Sequence, residues 1–352
     1  MNDDLDISHL MDKLSADPDS WISQPIISVT QITPSGLNLL YETADSMRTL
    51  VQTKGGDSRL ANKVLATIFY EASTRTSCSF QVAMMRLGGQ VMMVDASPSG
   101  NTSSKKGETV TDTVKCLQCY TDVTVMRHPT KGTVAGAILR ENLKKPLINA
   151  GDGTGEHPTQ ALLDLFTIVD ELKLLGTNTD SHNPLVIVLL GDLKHGRTVH
   201  SLAKLMARCQ AEFLKRKLIL RYCSPSSLQM PSYIKDYVDN YSKKEGFNII
   251  QEEVGTIDEA LQGAHVLYVT RVQKERFASE DDYLAVKGQY IIDEEVMNRA
   301  PSKMIVMHPL PRVDEISPDV DNDPRAAYFR QMENGLFVRM SILALVLGKS
   351  KA

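Results

Sequence analysis

Short, apolar, β-branched runs that stop abruptly at polar clusters are the feature that most limits how this chain can fold. Val64-Leu-Ala-Thr-Ile-Phe-Tyr70 has the make-up of a buried strand, and Ser73-Thr74-Arg75-Thr76 follows it. From Thr76 onward Phe80, Met84 and Leu87 recur at steps of four and three, and Gly88-Gly89 closes the pattern, which predicts a helix. The alternation repeats along the chain. Strands are expected near 64–70, 90–94, 122–126 and 146–149 in the first half, and at 185–190, 217–222, 266–269 and 304–307 in the second. The fold class is therefore α/β, with two domains that each carry a mainly parallel sheet flanked by helices. A length of 352 residues, more than one core usually serves, agrees with two domains.

A helical pattern from Pro158 to about Leu175, with Leu162, Leu165, Phe166 and Val169 on one face, links the halves, and the polar stretch Gly176 to Pro184 reads as a hinge. Phe337 to Leu347 is apolar nearly all round, so a buried helix packed back on the first domain is expected. These features divide the chain into 1–160 with a C-terminal helix at about 328–352, and 161–327. Apolar content of 42% and charged content of 23% are those of a soluble globular protein, and no run reaches the roughly eighteen apolar residues of a membrane span. A net charge of −4 gives a nucleic-acid role no global support. The start, with Asp3, Asp4 and Asp6, lacks a basic, apolar leader, so a reducing, cytoplasmic compartment is expected. Five cysteines, an odd count, agree with free thiols. Cys116 and Cys119 have the spacing of a zinc or redox pair, but no second pair exists, and structural thiols on a helix are expected instead.

Ser73 to Thr76 lie where a helix begins, so unpaired N–H groups, the positive end of the helix dipole and the Arg75 guanidinium converge on one point. Ordinary N-capping needs one hydroxyl; three beside an arginine exceed what a cap requires, and a phosphate cradle fits them. Other clusters also follow strands, where open parallel sheets bind ligands. Arg127-His128-Pro129 follows one, and Asn149 to Gln160 follows another, with His157 and Gln160 three apart on a helix start. Arg75, Arg127, His157 and Gln160 together offer cations for a phosphate and neutral donors for an adjoining carbonyl oxygen. In the second half, Gly191 to His200 and Thr270 to Glu275 each follow a strand, and Arg197 with Arg271 has the character of a dicarboxylate clamp. Lys274 and Arg276 read as solvated charge. His308-Pro309-Leu310-Pro311-Arg312 ends the last strand in a turn that can aim backbone carbonyls at an amine, with His308 itself read as structural.

With these residues in view, Ser73-Thr-Arg-Thr76, Val125-Met-Arg-His-Pro129, Asn149-Ala-Gly-Asp-Gly, His157-Pro-Thr-Gln160, Gly191-Asp-Leu-Lys-His-Gly-Arg-Thr198, Thr270-Arg-Val-Gln-Lys-Glu275 and His308-Pro-Leu-Pro-Arg312 resemble the catalytic chains of the aspartate transcarbamoylase family. The resemblance runs through the chain beyond about residue 25. Asp323 to Gly335 is most similar to the version fused into multifunctional pyrimidine-synthesis proteins, while Met1 and the acidic lead favour a free-standing chain.

The resemblance implies carbamoyl transfer from carbamoyl phosphate to L-aspartate, with no metal and no organic cofactor, and an active site at the domain interface. It implies that Ser73, Thr74, Arg75, Thr76 and Arg127 bind phosphate and that His157 and Gln160 contact the carbamoyl group, which Thr76 and Arg127 also reach. Arg197, Thr198, Arg271 and Gln273 would bind the aspartate carboxylates. Leu310 and Pro311, joined by a cis bond, would present carbonyls. A loop lysine and a serine four residues before it would enter the neighbouring subunit's site, which implies a homotrimer with shared sites. Lys106 matches the lysine; counting back four lands on Thr102, so Thr102, Ser103 or Ser104 takes the serine's place. Arg271 and Gln273 speak against an ornithine-type enzyme, because a second arginine repels a cationic side chain. A silent homologue acting as an assembly scaffold is the remaining alternative.

Overall fold

Residues 21–100, 102–139, 143–173, 184–209, 217–244, 246 and 249–350 are described by the structure, a computed structural model. The acidic lead through Asp6, Asn101, the expected helix end near Leu175 and the hinge residues 176–183 lie outside them. Two compact units result: unit 1, Met1–Leu163 with Glu333–Ala352, and unit 2, Asp164–Met332.

In unit 1, β1 (Val64–Phe69), β2 (Gln90–Asp95), β3 (Val123–His128) and β4 (Leu147–Asp152) form a parallel sheet in the order β2-β1-β3-β4. Leu65 pairs with Val123 and Phe69 with Arg127, so β1 and β3 end side by side. From Leu65 on, β1 is buried at every residue, as a strand covered on both faces must be. Helix α1 (Pro34–Lys54) starts with proline at its first position, under a Thr33 hydroxyl that accepts the Gly36 N–H. Helix α2 (Thr74–Arg86) ends where expected: Gly88 takes φ +78°, and a Cβ there would meet Ser58 Cα at 2.8 Å. Helices α3 (Val110–Tyr120) and α4 (Thr133–Leu139) cover one sheet face through Val114, Leu117, Val134 and Ala137. Cys116 and Cys119 do lie on α3, but both are exposed, so neither helps to pack it.

Helix α5 (Pro158–Glu171) follows β4 and runs from unit 1 into unit 2. There β5 (Leu185–Leu190), β6 (Leu218–Cys223), β7 (Ile249–Val254), β8 (Val266–Val269) and β9 (Ile305–Met307) form a second parallel sheet, ordered β7-β6-β5-β8-β9. Strand β7 is absent from the expected set, because Gln251, Glu252 and Glu253 break its apolar run. As an edge strand it is allowed such polarity: Glu252 takes the Arg221 Nε–H at 2.9 Å and Gln251 Oε1 takes the Tyr222 hydroxyl at 2.5 Å. Helices α6 (Arg197–Cys209) and α7 (Ser232–Lys244) pack on each other. The last helix, α8 (Tyr328–Val346), buries Phe337, Val338, Met340, Ile342 and Leu343, and from Glu333 onward it belongs to unit 1. Among the described residues no helix is long and apolar enough to cross a membrane, and no group of three or more candidate metal ligands occurs.

Strand order decides where ligands can sit. From β1 the chain steps outward to β2 and returns on the other side at β3; from β5 it steps out through β6 and β7 and returns at β8. At such reversals the loops leaving adjacent strands diverge and open a crevice at the carboxyl ends.

Candidate active site

The loops bearing the candidate residues of unit 1 leave the sheet at its reversal point and beside it. Ser73-Thr-Arg-Thr76 follows β1, Arg127 ends β3, and His157 with Gln160 follows β4. Ser73 occupies the N-cap position of α2, yet its side chain makes no cap hydrogen bond; its hydroxyl instead accepts Arg127 Nη1–H at 3.3 Å. The cap explanation of these hydroxyls therefore fails for Ser73, whose side chain leaves the N–H groups of the helix start uncapped, the arrangement that favours an anion. Arg75 is half-buried. Burial first, and then the charge of Arg127, push its guanidinium below its ordinary value, which shows two cations crowded at one place. Arg127 Nε donates to Glu71 Oε2 at 3.0 Å, an acid beside the cluster that sequence reasoning did not single out. Thr76 is buried, whereas Thr74 is exposed.

Turn chemistry sets the outline of this half. His128 Nδ1 accepts the Thr130 N–H at 3.0 Å, and burial holds its imidazole below the usual histidine value. Asp152, buried, accepts the Glu156 N–H at 2.7 Å and the Gly132 N–H at 3.0 Å, which closes the loop that leads to His157. Gly153, at φ +51°, is required there because a Cβ would lie 2.5 Å from the Pro129 carbonyl. His157, immediately before α5, and Gln160, in its first turn, are both buried, and the His157 carbonyl accepts the Gln160 N–H at 3.0 Å. Ser103 and Lys106 are exposed on the connection between β2 and α3, a different loop from the rest of the cluster.

Unit 2 gathers its candidates on three neighbouring strand ends. Arg197 and Thr198 open α6 after β5, Arg271 and Gln273 follow β8, and Leu310 and Pro311 follow β9. Gly191 makes the approach of the first two loops possible: at φ +111°, a Cβ would lie 2.3 Å from the Thr270 carbonyl. A cavity of about 50 Å³ opens beside Arg271, between Gly191, Thr270, Tyr283, Tyr290 and Glu315. Asp192 accepts the His195 N–H at 2.9 Å and sets the turn that presents Arg197. The Leu310–Pro311 peptide is cis, and Leu310 has φ +55°. His308 is structural, as read from the sequence: its Nδ1 accepts the Leu310 N–H at 2.7 Å and its Nε2 meets Glu315 Oε1 at 2.8 Å. Lys274 is exposed and pairs with Glu280; Arg276 is half-buried, so solvated charge describes only the first.

The family model "Aspartate/ornithine carbamoyltransferase, carbamoyl-P binding domain" matches residues 24–170, and "Aspartate/ornithine carbamoyltransferase, Asp/Orn binding domain" matches residues 183–346. The chain belongs to the aspartate/ornithine carbamoyltransferase family. A multifunctional protein, pyr1-3 of Dictyostelium discoideum, is 52% identical over 329 residues, which are 94% of this chain but 14% of that protein. The aspartate carbamoyltransferase catalytic subunit of Thermoplasma volcanium is 41% identical over 93% of this chain and 99% of its own. Among solved carbamoyltransferases, aspartate transcarbamoylase from Trypanosoma cruzi in complex with carbamoyl phosphate superposes with a TM-score of 0.82 at 41% identity, covering 94% of this chain and 98% of that one. The same enzyme has been solved with N-(phosphonacetyl)-L-aspartic acid, at a TM-score of 0.80.

Glu71, Asp164, Tyr268 and Gln331 are polar residues near these loops that motif reasoning missed. Each stands alone in an apolar or mixed stretch, so nothing local marks it; only the fold shows what it touches.

Proposed function

We propose that this chain is an aspartate carbamoyltransferase, which transfers the carbamoyl group of carbamoyl phosphate to the amine of L-aspartate, giving N-carbamoyl-L-aspartate and phosphate for pyrimidine synthesis. The observation that carries this reading is the pair of arginine-bearing crevices at the two sheet reversals: Arg75 and Arg127 at one, Arg197 and Arg271 at the other. A phosphate suits the first and a doubly acidic amino acid the second. An assay with carbamoyl phosphate tests it, with aspartate and ornithine offered in turn. Carbamoylation of aspartate alone is expected; an equal rate with ornithine would overturn the assignment.

Unit 1 serves carbamoyl phosphate and unit 2 serves aspartate in this reading. Ser73, Thr74, Arg75, Thr76 and Arg127 bind the phosphate group, while His157, Gln160 and Thr76 donate toward the carbamoyl oxygen. Arg197, Thr198, Arg271 and Gln273 take the two carboxylates, and the carbonyls of Leu310 and Pro311 face the amine. The neutral amine attacks the carbamoyl carbon, negative charge gathers on the carbamoyl oxygen, and the carbon–oxygen bond to phosphate breaks as phosphate takes the amine proton. Positioning two substrates and stabilising that oxygen supply the acceleration, so the chemistry calls for neither metal nor cofactor. His157→Ala should lower turnover about a hundredfold while carbamoyl phosphate binding changes little.

A homotrimer in the cytoplasm completes the proposal, with Lys106 and one of Thr102, Ser103 or Ser104 entering the neighbouring subunit's site. Mixing tests the sharing. Arg75→Ala and Lys106→Ala chains, each inactive, should regain partial activity after subunit exchange, and proven mixed trimers that stay inactive would count against it.

A further inference from the structure

Asp164 sits on α5, four residues beyond Gln160, with none of its surface exposed. Its Oδ2 accepts the Tyr268 hydroxyl at 2.7 Å, and its Oδ1 accepts Gln331 Nε2–H at 2.6 Å. Both partners are themselves fully buried. From Gln331 the chain of bonds continues to the active-site turn. Gln331 Oε1 accepts the His308 N–H at 2.9 Å, and His308 Nδ1 accepts the Leu310 N–H at 2.7 Å. Every link has one possible direction. A backbone N–H can only donate, so the His308 N–H selects the oxygen of the Gln331 amide, which leaves the NH₂ facing Asp164; only an acceptor can stand there. On the other arm, Thr198, the second residue of α6, is a further hydrogen-bonding neighbour of the Tyr268 phenol.

A carboxylate out of water costs several kcal/mol, and an apolar residue on α5 would fold at less expense. What the acid supplies is two acceptor sites pointing in different directions, one toward each loop that borders the amino-acid half-site. We propose that Asp164 is a positioning residue for aspartate binding, holding the Leu310–Pro311 turn through Gln331 and His308, and the phenol behind the start of α6 through Tyr268. The inference rests on the carbamoyltransferase reading and deepens it, since it assigns geometry in the second half-site to a residue outside every motif.

Asp164→Asn keeps the shape and removes one of the two acceptors. Its aspartate KM should rise about tenfold, the effect of one buried hydrogen bond lost, with carbamoyl phosphate affinity by calorimetry within about twofold of wild type. Gln331→Met breaks the arm that leads to His308 and the Leu310–Pro311 turn and should raise the aspartate KM similarly. The double variant should be no worse than the poorer single one, because the two residues act in series. A folded Asp164→Asn enzyme with an unchanged aspartate KM would overturn the proposal, as would equal weakening of both substrates in step with a lower Tm. If Asp164→Asn does not fold, Gln331→Met carries the test with the same two outcomes. Wild-type enzyme that fails to carbamoylate aspartate would sink the functional reading instead, so the two failures are distinguishable.

Discussion

At the ends of β1 and β3, two arginines crowd one another and are balanced by an acid and a hydroxyl at the edge of the cluster; at the ends of β5, β8 and β9, the loops are held from behind by buried side chains hydrogen-bonded to one another, with the carboxylates of Asp164 and Glu315 accepting from their neighbours. The first cluster stores unfavourable charge that an arriving anion relieves. The second stores shape. Binding and stability should therefore separate in unit 1 and run together in unit 2.

Arg75→Ala is expected to break the comparison hardest. Steady-state kinetics should show kcat/KM for carbamoyl phosphate falling about a thousandfold, from loss of a charge-assisted donor at the phosphate. Its Tm should hold or rise slightly, because removing Arg75 relieves its repulsion with Arg127. Arg271→Met should raise the aspartate KM about a hundredfold and leave carbamoyl phosphate binding intact. His308→Ala is the reverse case: denaturant titration should show a loss of about 2 kcal/mol, as the Leu310 N–H and the Glu315 carboxylate lose their partner. Acid should act on the same spot. Burial alone would raise Glu315, but hydrogen bonds from His308 and from the Val313 N–H outweigh it and hold its carboxyl below the ordinary 4.5. Its contribution is thus complete above pH 4.5 and is lost as pH falls through the lowered folded value. Glu315→Gln should be the less stable protein at neutral pH and should lose less than wild type on acidification, measured by Tm from pH 7 downward. The smallest effect is expected from Cys116→Ser with Cys119→Ser, two exposed thiols: activity unchanged and stability within about 0.5 kcal/mol.

The same contrast governs what the amino-acid sequence reveals unaided. The cluster proposed to bind phosphate is legible because four consecutive residues at a helix start make it, and the strands are legible wherever both faces are covered, as at Leu65–Phe69 and Leu185–Leu190. Strand β7 is not, since an edge strand can carry Glu252 and Glu253 and so loses its apolar signature. The supports of the unit 2 loops are illegible for another reason. Asp164 meets Tyr268 across 104 residues and Gln331 across 167, distances over which spacing has no meaning until the chain has folded. Glu71 is hidden in the same way, 56 residues from Arg127.

Titration with N-(phosphonacetyl)-L-aspartic acid tests the central claim most directly, because that molecule carries both the phosphonate proposed to bind Arg75 and the aspartyl group proposed to bind Arg271. Calorimetry should give one tight site per chain in the wild type, weakened at least about a hundredfold by Arg75→Ala and separately by Arg271→Met. Wild-type affinity in either folded variant would contradict the proposed roles of Arg75 and Arg271.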